Sequence, residues 1–258
     1  MIGILYAIVI VLANTIGAIS GMGGGVLIKP IFDLIHVHSV SAISFYATLA
    51  VFTMSIVSTT RQLQSGQKLN WQIVSWVAIG AIAGGVLGNL ALEYSLTSFE
   101  SEDKVQLMQI ILTVLTLLFA FCFTKYNWPT FKLMQGKWYL ICGLMLGFLA
   151  SFLGIGGGPI NVSLLMLLFS FKIKEATIYS ICTIFCSQLA KLITICLTTG
   201  FMRYDLSMLY YIIPAAVVGG ILGAKLSRIL SEETVTVIFQ SVIICVLLVN
   251  CYNAYYLF

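Results

Sequence analysis

The chain has 258 residues, 60% of them hydrophobic and 9% charged, with a mean hydropathy of +1.05 and a formal charge of +4. A soluble domain carries roughly a quarter charged residues, so this composition excludes one and assigns an integral membrane protein lying in a lipid bilayer. The small, scattered positive charge leaves no footprint for nucleic acid, and no such partner is expected.

Apolar stretches of about 20 residues, the length a helix needs to cross a bilayer, recur along almost the whole chain. In order they are 1–20 with a shorter run to about 35, then 39–61, 71–92 and 105–123. A polar, basic connection at 125–137 follows. Next come 138–153 with a shorter run to 171, then 176–199, 206–226 and 235–256. The start of the chain has no basic residue ahead of its apolar run, so a removable signal peptide is not expected.

Gly21-Met22-Gly23-Gly24-Gly25 and Gly154-Ile155-Gly156-Gly157-Gly158 each join a long run to a short one. Four glycines in five positions would cost a continuing helix roughly 1 kcal/mol apiece relative to alanine, so each string reads as a break. Pro159 stands where a new helix would open, because proline there gives up no useful hydrogen bond. The competing reading makes Gly17, Gly21 and Gly25 a small-residue packing face, and Pro159 weighs against it in the second string. Neither string fits a dinucleotide or P-loop fingerprint.

The chain is duplicated. The glycine strings match at a shift of 133, Gly66 matches Gly200 at 134, and Gly84-Gly85-Val86-Leu87-Gly88 matches Gly219-Gly220-Ile221-Leu222-Gly223 at 135. The expected domains are a first transmembrane repeat (1–124), a cytoplasmic linker (125–137) and a second repeat (138–258).

Charge decides the sense of the repeat. If every run crosses, the basic residues outside the runs divide six to five. If each glycine string turns the chain back, Arg61, Lys68, Lys125, Lys132, Lys137, Lys172, Lys174, Lys225 and Arg228 gather on one side, and Lys104 and Arg203 on the other. The positive-inside rule selects the second arrangement. The predicted fold is an all-α membrane protein of two inverted repeats, each a glycine-broken re-entrant helix pair plus three transmembrane helices, with both termini outside the cell membrane.

A half-helix that starts inside the membrane leaves backbone N–H groups and a positive dipole end unpaired, and two such ends make an anion site. Gly23, Gly24, Gly25, Gly156, Gly157 and Gly158 are its expected backbone. Lys29 and Lys191 fall inside apolar runs, where a lysine faces the protein interior or water or else snorkels to a surface. Asn161, Gln188, and Asn14 with Thr15 are polar candidates for the same cavity, or for helix contacts.

The seven cysteines lie in or beside apolar runs and read as small hydrophobes; Cys182 and Cys186, one turn apart, make a weak metal site. His36 and His38 are placed in an outer loop beside Asp33. No nucleophilic triad is readable, so the chain is not expected to be an enzyme or to need a cofactor or metal.

On these residues the chain resembles the sulfite exporter TauE/SafE family, also called the toluene sulfonate uptake permease family. The likeness rests on the paired G-x-G-G-G strings, each opening a half of about four runs, with Pro30 after the first and Pro159 after the second. It implies outward transport of a small sulfur-containing or carboxylate anion such as sulfite or an organosulfonate. Members often carry a Thr-Ser pair in the helix after each half-helix. Those places here read Phe45-Tyr46 and Tyr179-Ser180, so Ser180 alone is kept. The alternative function is a membrane component of a thiol or metal redox or assembly system. Assembly as a homodimer is left open.

All nine acidic residues fall at or near predicted run ends. A proton-driven transporter commonly keeps a carboxylate at depth. The expectation is therefore anion movement without a carboxylate relay, driven by the membrane potential at about 2.3 kcal/mol per charge per 100 mV, or with a proton riding on the substrate.

Overall fold

The computed structural model describes residues 2–64, 69–99, 101–126 and 128–256. Met1, Gly66, Lys68 and Glu100, used above in the repeat match and the charge pattern, lie outside the described residues. Among those described the chain is all-helical: α1 (Ile2–Ser20), α2 (Gly25–Ile35), α3 (Val40–Gln64), α4 (Trp71–Ser98), α5 (Glu102–Tyr126), α6 (Gly136–Phe152), α7 (Pro159–Phe169), α8 (Ile173–Leu197), a 3₁₀ turn (Leu206–Met208), α9 (Leu209–Ile229) and α10 (Glu232–Tyr256). Seven segments are long and apolar enough to span a bilayer. By contrast α2 and α7, with 11 residues each, reach about 16 Å, roughly half the hydrocarbon thickness.

Local chemistry sets the boundaries. Both glycine strings interrupt the helix, and α7 opens on Pro159 as expected. The Asn70 side chain accepts from the Gln72 N–H at 3.0 Å and starts α4. Acidic pairs, Glu102-Asp103 and Glu232-Glu233, occupy the first turns of α5 and α10, where they complement the helix dipole.

Helix α4 runs on past the end of its apolar stretch, while α2 ends where its short run was expected to end. Glu93 lies within α4, which continues to Ser98, and it receives two hydrogen bonds from Arg203 at 2.5 and 3.1 Å. Asp33 lies two residues before the end of α2, near the run end as expected. Helix α2 passes through Pro30 to Ile35 and carries Asp33 inward, where it is 4% exposed. His38 is half-buried and takes part in a hydrogen bond with the Tyr6 hydroxyl at 2.9 Å, while His36 is exposed.

Helix pairing follows the duplication. α4 packs on α6 and α8, while α9 packs on α1 and α3; α5 meets α7, and α10 meets α2; α3 meets α8. The close contacts repeat residue by residue. A Cβ on Gly84 would lie 2.1 Å from the Leu144 carbonyl oxygen, and one on Gly219 would lie 2.9 Å from that of Val11, which is 133 residues earlier than Leu144. Gly88 and Gly223 meet Phe148 and Thr15 at the same shift, and Gly85 and Gly220 meet Ser187 and Met54. Small residues let these backbones approach, which is how helices gain packing when lipid is as apolar as leucine.

Side chains also fix what lies at each end of the bundle. At one end the beginning of α1 meets the end of α2 through stacked Tyr6 and Phe32 rings, 3.7 Å between centroids. Tyr46 of α3 donates to the Asp205 carbonyl, Arg203 reaches Glu93 of α4, and the Glu102 carboxylate of α5 accepts from the Val40 N–H. The end of α10 closes the same end, because Tyr252 and Tyr256 share a groove with Leu34 and His36. At the other end the beginning of α6 meets the end of α7 through Tyr139 and Phe169, 4.2 Å apart. Tyr179 of α8 accepts from the Asn70 N–H ahead of α4, and Glu232 and Glu233 of α10 share a groove with Trp128 and Lys172.

Candidate functional site

The two glycine strings fold alike. Gly21 and Gly23 have φ of +74° and +75°, and Gly154 and Gly156 have +68° and +66°, the left-handed region that favours glycine. Each string is tied back to the helix before it, Gly23 N–H to the Gly17 carbonyl at 3.3 Å and Gly156 N–H to the Ala150 carbonyl at 3.1 Å. Neither α2 nor α7 has a side-chain cap; the Leu27 and Asn161 N–H groups bond back to the Gly24 and Gly158 carbonyls at 3.0 Å, and the N–H groups ahead of them have no side-chain acceptor.

The strings meet backbone to backbone. A Cβ on Gly25 would come within 1.8 Å of the Ile155 carbonyl oxygen; one on Gly157 would lie 3.0 Å from that of Met22, and one on Gly23 3.6 Å from that of Gly156. The expectation of a cavity separating them is therefore corrected: in this conformation they touch. Gly24 packs on Asn14, whose Oδ1 would lie 1.9 Å from its Cβ, while Gly158 is extended, with φ 177°, and has more room.

Both deep lysines come to the second string. Lys191 is 1% exposed and donates to the Ser44 hydroxyl at 2.8 Å and the Ser151 carbonyl at 2.9 Å. These two neutral oxygens take two of its three donors. The stem of Lys29 passes the same place: a Cβ on Gly154 would lie 2.6 Å from Ser44 Oγ and 3.3 Å from Lys29 Cε. Its ammonium turns away to Asp33 Oδ2 at 2.8 Å, and the pair is almost fully buried. Neither lysine snorkels to a surface.

The other expected residues divide. Ser180 donates to the Gly21 carbonyl at 2.6 Å, so it fixes the first string rather than facing an open space. Thr15 bonds the Val11 carbonyl at 2.7 Å and serves the contact of α1 with α9. Asn14 donates to the Ala50 carbonyl at 3.1 Å, leaving its Oδ1 unpartnered. Asn161 has neither side-chain polar atom partnered, and Gln188 keeps Oε1 free, although both are fully buried. Thr48, Ser151 and Ser163 add three more buried hydroxyls of that kind. Such groups are rare in a folded interior and point to a site for water or a polar ligand.

Sequence reasoning missed Ser44, Ser151 and Thr177. Ser44 and Thr177 stand 133 residues apart, and each packs on the first glycine of the opposite string. Ser44 directly precedes the place looked for at Phe45 and Tyr46, and the repeat shift itself was the signal that could have found the pair. Among the described residues no cluster of three or more His, Cys, Asp or Glu side chains forms a metal site, and all seven cysteines are free thiols.

A profile of the sulfite exporter TauE/SafE family matches residues 6–249. A probable membrane transporter protein of Bacillus subtilis, YunE, is 23% identical over 273 residues, covering 98% of this chain and 97% of its own. A probable membrane transporter protein of Methanocaldococcus jannaschii is 24% identical over 254 residues, covering 93% and 91%.

Proposed function

The chain belongs to the sulfite exporter TauE/SafE family of membrane transporters, and from that premise we propose that it exports a small sulfur-containing or carboxylate anion, sulfite or an organosulfonate. The observation that carries this reading is the convergence of two half-helix starts without side-chain caps with the two lysines that are deeply buried among the described residues. N–H groups and a dipole end at each string, with Lys191 beside the second, form a donor set suited to a compact oxyanion. Gly23, Gly24, Gly25, Gly156, Gly157 and Gly158 offer backbone, Lys29 and Lys191 charge, and Asn161 and Gln188 hydrogen bonds. Ser180 holds the first string in place.

Transport in this reading uses two inverted repeats, residues 1–124 and 138–258, joined by a cytoplasmic linker. The contacts of Tyr6 with Phe32 and of Tyr139 with Phe169 support it, since each brings a glycine-broken pair back to the end from which it began, and the two pairs begin at opposite ends. The basic residues support it as well. Arg61, Lys125, Lys132, Lys137, Lys172, Lys174, Lys225 and Arg228 belong to the end that holds Tyr139, which the positive-inside rule assigns to the cytoplasm. Single cysteines placed in a cysteine-free background at Ile2 and Thr130 should then react with an impermeant thiol reagent from opposite sides. Labelling of both from one side sinks the inverted arrangement.

Binding is tested by thermal shift of the purified protein with sulfite, thiosulfate, sulfoacetate, taurine and short carboxylates. A ligand at 100 times its Kd stabilises the native state by about 2.7 kcal/mol. At least one sulfur oxyanion should raise the midpoint, with taurine, whose ammonium meets the lysines, the weakest of the sulfonates. A panel with no shift at millimolar concentration contradicts the reading.

A further inference from the structure

We propose, resting on the transport reading above, that Asp33 is a proton-carrying group and that Lys29 is shared between Asp33 and the transported anion. In the present conformation the Lys29 ammonium bonds Asp33 Oδ2 at 2.8 Å. The stem of Lys29 lies against Gly154, beside the Ser44 hydroxyl that receives the Lys191 hydrogen bond. A rotation at the end of one side chain is thus enough to carry the ammonium from the carboxylate to the place where Lys191 and the second string converge. An anion arriving there draws Lys29 away from Asp33.

What remains is a buried carboxylate without a cation. A desolvated, unpaired carboxylate neutralises by taking up a proton. Asp33 Oδ1 already has no hydrogen-bond partner. Beside it is a small cavity of about 10 Å³, roughly the space of one water, lined by Gln109, Thr113, Asn250 and Ile155. The Gln109 amide donates to the Phe152 carbonyl at 2.7 Å, which leaves its Oε1 unpartnered and able to accept from a protonated carboxyl. Asn250 and Asn253, one turn apart on α10, lead from this cavity to the open groove at Leu34, His36 and Tyr256.

Among the described residues, no charged side chain besides Lys29 and Asp33 lines the cavity beside Asp33. From α1 the facing titratable group is Tyr6, engaged with His38, and Tyr46 of α3 packs beside that histidine. From α10 the polar neighbours are the two asparagines, and from α5 they are Gln109 and Thr113, with Lys104 between one and two turns and Glu102 about two turns further toward its start. From α8 Lys191 faces the string rather than the carboxylate.

The step balances. One proton adds to one oxygen of Asp33 while one ammonium–carboxylate contact is exchanged for one ammonium–anion contact, so a univalent anion enters the site with a proton without changing its charge, and a divalent one such as sulfoacetate enters with one net negative charge. Flux then follows the sum of the anion and pH gradients, and runs outward, as export requires, when the outward anion gradient exceeds the inward proton gradient. In this proposal the relay is a carboxylate buried near a helix end, in place of the movement without a relay expected from the acids' positions.

Two measurements test this. Infrared spectra of purified K29M and of K29M/D33N, at neutral pH, should differ by the stretch of a protonated carboxyl, present in the single variant and absent from the double. Its absence from K29M overturns the proposal whatever the protein transports. In proteoliposomes, counterflow of sulfoacetate reports exchange, and net flux under an imposed pH gradient or voltage reports coupling. Wild type should exchange and follow the pH gradient. D33N, checked for folding by its elution and melting profile, should keep exchange and lose at least tenfold of the pH-driven flux, with D33E restoring part of it. Wild-type flux that ignores pH, a D33N that still follows it, or a folded D33N that no longer exchanges overturns the proposal and leaves the transport reading standing. A wild type that exchanges neither sulfoacetate nor sulfite removes the transport reading, and this one with it.

Discussion

Replacing Gly25 with valine should abolish anion flux. The two strings are in contact at that residue, with the Ile155 carbonyl oxygen 1.8 Å from the point where a Cβ would stand. The obstacle is backbone, so no side-chain rotation relieves it. Inserting carbon into a packed interior costs about 1–3 kcal/mol even where neighbours can shift. Here the shift must separate the half-helix starts that converge on the site, and a misplacement of about 1 Å is enough to impair a positioned constellation. Gly157→Leu should act in the same direction less completely, because its nearest obstacles are the flexible Ile184 side chain and, at 3.0 Å, the Met22 carbonyl. Gly200→Ala is the control. Gly200 has φ +70° but nothing within 4 Å, so the substitution should cost about 1–2 kcal/mol of backbone strain and leave flux intact. Replacing all seven cysteines should likewise leave transport in place, since in this reading the anion meets backbone N–H groups and lysines and no thiol. Proteoliposome flux measured on the four proteins decides the matter: wild-type rates in Gly25→Val, or loss of transport in the cysteine-free protein, would turn attention to thiol chemistry instead.

The parts legible in the sequence are those with local causes. A glycine string, a proline at a first helical position and a run of twenty apolar residues each act within a few residues, so the breaks at Gly21 and Gly154 and the start of α7 at Pro159 could be placed from composition. The duplication was legible for another reason. Close packing demands small residues at fixed positions, and Gly84, Gly88, Gly219 and Gly223 retain that demand in both halves. What escaped depends on distant residues. The partners of Lys191 are 147 and 40 positions away at Ser44 and Ser151. Asp33 was legible as a residue near the end of the short run but not as a buried one; its burial follows from α10 packing on α2, where Asn253 donates to the Pro30 carbonyl at 2.9 Å. Glu93 ended an apolar run yet not its helix, because Arg203, 110 residues on, satisfies it.

Lys191→Met should weaken anion binding by roughly 10- to 100-fold while leaving the fold at least as stable. The two effects separate because a buried lysine and a bound lysine answer to different balances. In the unliganded protein the ammonium is taken out of water and offset by two neutral oxygens, and replacing a buried charge by an apolar side chain of similar length is often neutral or stabilising. In the complex the same ammonium supplies a charge-assisted hydrogen bond to the anion, worth about 1.5–3 kcal/mol. That range corresponds to the expected fall in affinity. Lys29→Met should weaken binding by less, because the Lys29 ammonium must first leave Asp33, and part of its attraction for the anion is offset by the contact it gives up. Isothermal titration with sulfite or sulfoacetate, run beside thermal melts of each protein, checks both halves. If both variants bind the anion as the wild type does, the half-helix N-termini hold the charge alone and the lysines take no part in recognition.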